Sequence, residues 1–480
     1  MKRTMRFCGV PALASALAAA ALLSSVCAIQ TFGGGYNGES GDGYRSETNV
    51  RDPDPVPFND MGVMRAVGQN NAIDTPLLEQ LKNFSCRTAV LALGDGTENR
   101  NYAPVSLFYA AALAAQGAEG NTRAQLLGAL GIPETERAKL AENCGRLYRQ
   151  MYRENEYARL KLVNTAWLSE GDPLTAGFLR AAEGQYYTSV VRMDFGDPNA
   201  PEIMRRWTAD RTGGGILADV PLNAGETLRL EHAVYYHDQW VNGFDAAGNR
   251  DGVFFGAADT ACTYMTGRKR SSYVKGQGYT RASLSLMNNG YVVFVLPDEG
   301  VSLSALLASQ QQVRALLDQT GEMYGWVSWE VPRFQISAAT DQSSALRALG
   351  VTDAFEAGRA DFSAAVPEPV TLGGVSQKAA VPEPAALGDV SQKTAVPEPL
   401  TLGSIIQKTR VCVGENGVST EPGQAWIEPG IGRMETASGP AFAHEAEQDV
   451  RMHLNRPFFY AVMVAPGVPL YMGVCADPAL

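Results

Sequence analysis

The order in which helical and strand patterns follow each other constrains the fold most strongly. From Thr75 onward the segments LLEQLKNF, SLFYAAALAAQG and TRAQLLGALG carry apolar residues at spacings of three and four, which is typical of helices, and glycines follow as stop signals. The later segments LKLVNTAWL, GYVVFVLPD, WVSWEVPRFQI and FFYAVMVA are short, β-branched and aromatic, which favours strands. Helices first and strands afterwards, without regular alternation, predict an α+β fold.

The N-terminus has the pattern of a signal peptide over residues 1–28. A basic start, MKRTMRF, precedes an apolar run of small residues from Val10 to Val26. Val26 and Ala28 occupy the two small-residue positions that a signal peptidase requires, so we predict cleavage after Ala28 and a secreted, extracellular protein. Lipid attachment at Cys27 is a weaker alternative, because the residue before it is Val26 rather than a smaller one.

The segment that follows, residues 29–72, is dominated by Gly, Asp, Asn, Ser and Pro. Such a composition cannot bury enough apolar surface to order itself, so it predicts a flexible tether before a domain at 73–480. One hypothesis is therefore a structural or surface protein, in which this tether displays the domain at the cell surface.

Charge and hydropathy exclude several partners. The 480 residues include 40 basic and 51 acidic ones, a formal net charge of −11, which would repel phosphate backbones and anionic membranes. Nucleic acid is therefore not an expected partner. After the leader no apolar stretch reaches the roughly 18 residues of a membrane span, so we expect a soluble mature chain.

Catalytic and metal-binding motifs are missing from the sequence. GxSxG, HExxH and the P-loop do not occur, so we expect no enzyme and no cofactor. The cysteines after the leader are odd in number and widely spaced, without a CxxC pair, so no metal site is predicted. They permit at most two disulfides, and buried unpaired thiols are the favoured alternative. These five are Cys86, Cys144, Cys262, Cys412 and Cys475.

A 15-residue unit occurs three times in tandem over residues 365–409. The copies AVPEPVTLGGVSQKA, AVPEPAALGDVSQKT and AVPEPLTLGSIIQKT begin at Ala365, Ala380 and Ala395. Three short, proline-rich copies are too few for a solenoid, whereas a loop doubled in length costs only about 0.6 kcal/mol. We therefore interpret them as a duplication in a surface connection, with the third copy in the sheet and the first two looped out.

Many segments, in order from about residue 75 to 480, resemble the serpin family. Asn99–Ser106 is similar to the family's N-x-x-x-S-P-x-S, with Ala103 in place of the first Ser. Trp207–Ile216 resembles its W-V-x-x-x-T-x-G-K-I block, and LEHAVYYHDQWVNGF from Leu230 resembles L-x-N-A-x-Y-F-x-x-x-W-x-x-x-F, with His232 in place of Asn. Asn455–Val462 and Leu470–Pro478 resemble the terminal hairpin. We expect a secreted member of bacterial origin.

The resemblance implies a large central mixed β-sheet, two smaller sheets and a helical N-terminal half. It also implies an exposed reactive loop, here extended over residues 417–450, that a serine protease cleaves. The freed hinge then enters the central sheet as a new strand, a form of strand addition that releases stored strain. Glu415 and Gly417 fall on the family's E-x-G turn. The rest of the hinge is Val418, Ser419, Thr420, Glu421 and Pro422.

The hinge departs from the small residues that inhibitory members carry. Pro422 cannot donate a ladder hydrogen bond and is poorly tolerated in a central strand, so we expect it, with Glu421, to slow insertion. The glycine at 417 has a second interpretation, a strand end that needs φ > 0 whatever the function.

The scissile bond stays open between several residues. Counting the usual loop length from Gly417 places the residue before the bond at Ile431, whereas Gly432-Arg433-Met434 suits the acidic pocket of a trypsin-like protease at Arg433, with Met434 as a further candidate. We expect a monomer whose partner is a serine-type protease, trypsin-like or elastase-like. A non-inhibitory serpin scaffold, cleaved as a substrate or binding a partner, is the alternative to an inhibitor.

Overall fold

The computed structural model describes residues 43–58, 60–171, 173–214, 216, 221–223, 225–366, 400–421, 425 and 450–479. Helices concentrate before residue 212, as the sequence predicts. The helices of the described residues are α1 (Met61–Asn70), α2 (Thr75–Ala92), α3 (Pro104–Gly117), α4 (Gly120–Leu130), α5 (Arg137–Met151), α6 (Ala176–Gly184), α7 (Ala200–Arg211), α8 (Leu303–Leu307), α9 (Gln310–Leu317) and α10 (Ser343–Ala348). None of them combines the length and the apolarity that crossing a membrane demands.

Strands fill most of the remaining described chain. They are β1 (Tyr44–Ser46), β2 (Arg100–Tyr102), β3 (Arg153–Glu154), β4 (Ala158–Leu168), β5 (Thr188–Met193), β6 (Leu228–Gln239), β7 (Arg250–Phe255), β8 (Asp259–Gly276), β9 (Tyr279–Ser285), β10 (Tyr291–Pro297), β11 (Met323–Pro332), β12 (Phe334–Asp341), β13 (Leu402–Val413), β14 (Gly417–Ser419), β15 (Val450–His453), β16 (Phe458–Val464) and β17 (Val468–Cys475).

Local sequence explains why the first helices form where they do. Pro76 lies in the first turn of α2, where its missing N–H has no partner to lose, and Leu77, Leu81 and Phe84 then form the buried face at helical spacing. Helix α4 ends at Gly131, whose φ of 71° is the left-handed conformation that a glycine adopts at little cost. The glycine stop signal in the sequence is confirmed there.

The central sheet is large and mixed, as the resemblance implies. Its strands lie in the order β1-β5-β4-β6-β14-β13-β12, with β3 beside β4. The pairs β4–β5 and β6–β13 are parallel, and the other pairs are antiparallel. The core therefore depends on strands that are distant in sequence.

The remaining strands form one nine-stranded sheet in the order β15-β11-β8-β9-β10-β16-β17-β2, with β7 beside β8. The resemblance implies two smaller sheets here. They are continuous in this protein because the 18-residue β8 pairs with β7 and β11 along one part and with β9 along another. Helix α3 packs against both sheets, through β6 of the central one and β17 of the other.

Residues 43–58 differ from the predicted flexible tether. β1 pairs with β5 and forms the edge of the central sheet, and the Tyr44 ring packs edge-on against Trp207 of α7 at 5.2 Å between centroids. Glu47 forms a 3.0 Å ion pair with the buried Arg192, and Lys161 bonds Asp52 at 2.6 Å. These long-range contacts order the segment despite its polar composition. Residues 29–42, like the leader, lie outside the described residues.

The third repeat copy contributes to β13, as the sequence predicts, since Leu402–Thr409 lie between β6 and β12. The preceding residues 367–399 lie outside the described part of the chain.

Candidate functional site: a hinge in a split central sheet

The turn after β13 is anchored by Glu415. Its side chain is 4% exposed and accepts hydrogen bonds from Arg333 Nε at 2.6 Å and from Asn249 Nδ2, and its backbone carbonyl accepts from Phe244 N at 2.9 Å. Trp240 Nε1 donates to Gly414 O at 2.9 Å. Because a charged group bonded in this way loses much when one partner is removed, the turn starts the hinge from a fixed point.

The hinge already occupies a place in the central sheet. β14 pairs antiparallel with β13 on one side, through Val418 with Val413, and with β6 on the other, through Val418 with Asp238. One residue further along, Thr420 N donates to Tyr236 O at 2.7 Å. Val418 and Thr420 are both fully buried. The first residues of the hinge are therefore an inserted strand of the uncleaved protein.

Gly417 is required by close approach. A Cβ on this residue would lie 2.1 Å from the carbonyl oxygen of Asp238 and 2.8 Å from the Cα of Gln239, whereas its φ does not lie in the left-handed region. The interpretation that this glycine supplies a positive φ is wrong. The reason for the glycine is that β14 has to pass directly against the backbone of β6.

Alternate hinge residues lie on opposite faces of the sheet. Val418 belongs to the main core, while the Glu421 carboxylate accepts a 2.8 Å hydrogen bond from the Tyr235 hydroxyl on the other face, beside the glycines that follow α7. In a strand successive side chains alternate, so Pro422 and Gln424 would follow Val418 and Thr420 onto the core face if insertion continued.

Below the hinge the sheet is closed. β6 and β13 pair directly and in parallel there, from Leu228 with Leu402 to Ala233 with Lys408. Ser419 is level with His237 of β6 on one side and with Cys412 of β13 on the other. β6 and β13 therefore have the same relative offset here as in the closed part, where Ala233 is level with Lys408. Further insertion thus requires β6 and β13 to separate sideways, without sliding past each other.

Two titratable groups of β6 lie beside the hinge. Burial raises the pKa of Asp238 to about 7, although hydrogen bonds from Asn288 oppose the shift. Burial, together with the positive charge of Arg159, lowers the pKa of His237 to about 4. At neutral pH the His237 side chain is therefore uncharged.

The structure thus brings Glu415, Gly417, Val418, Ser419, Thr420 and Glu421 together at the split end of the sheet. Pro422 and the scissile-bond candidates Ile431, Gly432, Arg433 and Met434 lie outside the described residues. In the described part of the chain all five cysteines are free thiols, and no cluster of His, Cys, Asp and Glu could hold a metal ion.

Several residues that define this site carry no strong sequence signal. Arg333 and Trp240 lie in segments that match the family pattern and Asn249 does not, and nothing in the sequence indicates that these residues converge on the turn at Glu415. Glu231 and Lys408, which meet between β6 and β13, are equally inconspicuous. A charged residue inside an otherwise apolar strand pattern, as at Glu231, is the signal that could have identified one of them.

A scan against family models matches residues 80–478 to Serpin (serine protease inhibitor). Serpin B6 from Pongo abelii is 27% identical over 287 residues, 56% of this chain and 75% of that protein. Corticosteroid-binding globulin from Homo sapiens is 25% identical over 288 residues, 58% of this chain and 70% of that protein. Among solved structures, the thermophilic serpin tengpin in its native state aligns with a TM-score of 0.67 at 20% identity, covering 89% of this chain and 97% of that chain. A bacterial origin stays a prediction.

Proposed function

The chain belongs to the serpin family, and from this premise we propose that it inhibits serine proteases by loop cleavage and insertion of its hinge into the central sheet. The observation that carries the proposal is the position of β14. β14 pairs with β6 on one side and with β13 on the other in the uncleaved chain, and the offset of these two strands already fits a longer insert. The remaining hinge residues would continue this strand once β6 and β13 separate below it.

The chemistry belongs to the protease. Its serine attacks the scissile carbonyl, the peptide bond breaks, the amine leaves as a new N-terminus, and an ester joins the protease to the residue before the bond. If the hinge inserts before water hydrolyses this ester, the protease is carried along and remains attached. If hydrolysis is faster, the protein is consumed as a substrate.

The target follows from the residue before the scissile bond. Cleavage after Arg433 would suit a trypsin-like enzyme, and cleavage after Ile431 an elastase-like one. The proposed encounter takes place outside the cell, since the predicted leader would export the chain.

A second candidate function is a non-inhibitory serpin that is cleaved as a substrate or binds a partner. Pro422 in the hinge favours it, because a proline supplies no N–H to a central strand. The similarity to a corticosteroid-binding globulin is compatible with this alternative.

The test is a covalent complex that survives SDS, sought with trypsin-like, elastase-like and subtilisin-like proteases. The critical variant is Val418→Arg, which places a charge at a fully buried position of the inserted strand. We expect this variant to be cleaved without trapping the protease. Val253→Arg is the matched control, since Val253 is 44% exposed, and it should trap like the wild type. Cleavage of the wild type by every protease without any complex would refute inhibition and favour the second candidate.

A further inference from the structure

A buried ion pair joins the two strands that insertion has to separate. Lys408 on β13 and Glu231 on β6 approach to 2.7 Å between Nζ and Oε1, and each side chain is only 3% exposed. Lys408 is level with Ala233 and Ile406 is level with Glu231, so the pair runs diagonally across the junction of β6 and β13. It lies in the closed part of the sheet, directly below the hinge.

Helix α7 holds the same carboxylate. The Thr208 hydroxyl on α7 donates to Glu231 Oε1, and the neighbouring Trp207 Nε1 donates at 3.0 Å to Thr165 Oγ1 on β4, which is level with Glu231. The Glu231 carboxylate of β6 therefore contacts both Lys408 of β13 and Thr208 of α7, the helix that covers these strands. A strand entering between β6 and β13 has to disturb all three.

The surroundings make the pair costly to break. An apolar cluster of Val163, Ile216 and Ala233 lies on the same face of the sheet, beside Lys408, and no second acceptor among the described residues bonds Lys408 Nζ. An isolated ammonium group in such a site loses its solvation without compensation. Removing either partner alone leaves a buried unpaired charge, whereas removing both charges does not.

We propose that Glu231 and Lys408 form a latch that keeps the intact chain from inserting its hinge spontaneously. This inference rests on the proposed function, because it concerns the regulation of the same insertion. An added strand moves β6 and β13 apart by one further strand spacing, about 4.8 Å. The diagonal pair is then pulled beyond contact distance, and its loss contributes to the barrier that cleavage of the loop has to overcome.

The experiment incubates the intact chain at 45 °C and measures how fast it converts to a heat-resistant form. Native electrophoresis and the amplitude of the remaining thermal unfolding transition report the conversion. Glu231→Gln with Lys408→Met removes both charges at similar volume, and we expect conversion at least tenfold faster than in the wild type. The matched control is Glu322→Gln with Arg281→Met. That pair lies 2.7 Å apart with the Arg281 side chain 1% exposed, but Arg281 is on β9 and Glu322 directly precedes β11 in the other sheet, so conversion should stay within twofold of the wild type.

Two further variants keep the inference falsifiable. Exchanging the charges, Glu231→Lys with Lys408→Glu, should return conversion towards the wild-type rate. If the neutral double variant does not fold, Glu231→Asp, which shortens the acceptor by one methylene, should convert severalfold faster than the wild type.

The heat resistance of the cleaved wild type distinguishes a failure of the latch alone from a failure of the proposed function. Wild-type protein cleaved in its loop should gain heat resistance. If it gains none, insertion does not occur, and the proposed function and the latch fall together. If it does gain heat resistance but the neutral variant, or Glu231→Asp in its place, converts no faster than the control, the latch alone is wrong.

Discussion

The effect of Pro422 on insertion can be worked out from the groups that it would meet. If the register of β14 continues, Pro422 comes level with Val234 of β6, where the inserted strand should donate a hydrogen bond as Thr420 N does to Tyr236 O at 2.7 Å. A proline has no N–H for this bond. However, the Tyr471 hydroxyl already donates to Val234 O at 2.8 Å, so the carbonyl keeps a partner.

This geometry lowers the expected penalty of the proline. An unpaired buried carbonyl costs about 1–3 kcal/mol, but here only an already satisfied acceptor loses a second bond. Pro422→Ala alone should therefore accelerate insertion less than about threefold. Tyr471→Phe removes the substitute donor both before and after insertion, so with Pro422 in place the insertion rate should change little. In that background Pro422→Ala supplies the missing donor only on insertion, and it should accelerate insertion about fivefold if about 1 kcal/mol appears in the barrier.

The assay counts the moles of protein consumed per mole of protease trapped, for the wild type, both single variants and the double variant. This ratio minus one equals the rate of the substrate pathway divided by the rate of the inhibitory pathway. Converted to free energies, the four values should give a coupling of about 1 kcal/mol between positions 422 and 471. Tyr460→Phe is the matched control. The buried hydroxyl of Tyr460 donates at 3.0 Å to Oδ1 of Asn101 on β2. The substitution Tyr460→Phe should therefore show no coupling to Pro422→Ala.

Independent effects of Pro422→Ala and Tyr471→Phe would refute this reasoning, since they would mean that the tyrosine does not compensate for the proline. A large gain from Pro422→Ala in the wild-type background would do the same. It would restore the expectation from the sequence alone that the proline itself limits insertion.

Three other measurements test separate features. Deleting residues 365–394, the first two repeat copies, should change the melting temperature by only a few degrees in calorimetry, because the third copy supplies β13; an unfolded product would show that the extra copies are structural. Deleting residues 29–58 should lower the melting temperature by several degrees, because it exposes Arg192 and Trp207, whereas an unordered tether predicts no change. His232 is buried with its pKa lowered to about 3, so the unfolded chain binds a proton below pH 6.5 that the folded chain does not, and stability falls as the pH drops from 6.5 towards 3. His232→Asn should flatten the pH dependence of the free energy of unfolding, measured by urea denaturation, by about 1.4 kcal/mol per pH unit in this window, and an unchanged slope would contradict the assignment.

Much of the fold could be predicted from local sequence alone. The three- and four-residue spacing of α2 to α4, the glycine that ends α4, and the β-branched runs of β10 and β16 depend on neighbours along the chain. The E-x-G motif also predicts a turn at Glu415–Gly417, and β14 begins directly after it, at Gly417. Such features are visible because helix and strand periodicity, and the needs of a turn, are imposed within a few residues.

Composition was misleading where long-range contacts decide. Residues 43–58 have the polar composition of a tether, yet they include the edge strand β1. They are ordered because Glu47 forms an ion pair with Arg192 and Tyr44 packs against Trp207, both more than 140 residues away. A positive φ is one of two interpretations that the sequence offers for Gly417, whereas its tight passage beside Asp238 follows only from the pairing of β14 with β6.

The sequence by itself therefore determined which segments are helices and strands and which family the motifs resemble. Only the tertiary structure decided that the hinge is already inserted at one end, that Tyr471 satisfies Val234 O, and that Glu231 meets Lys408 across the junction of β6 and β13. Strand pairing brings together residues that lie more than a hundred positions apart, and no local pattern records which of them will face each other.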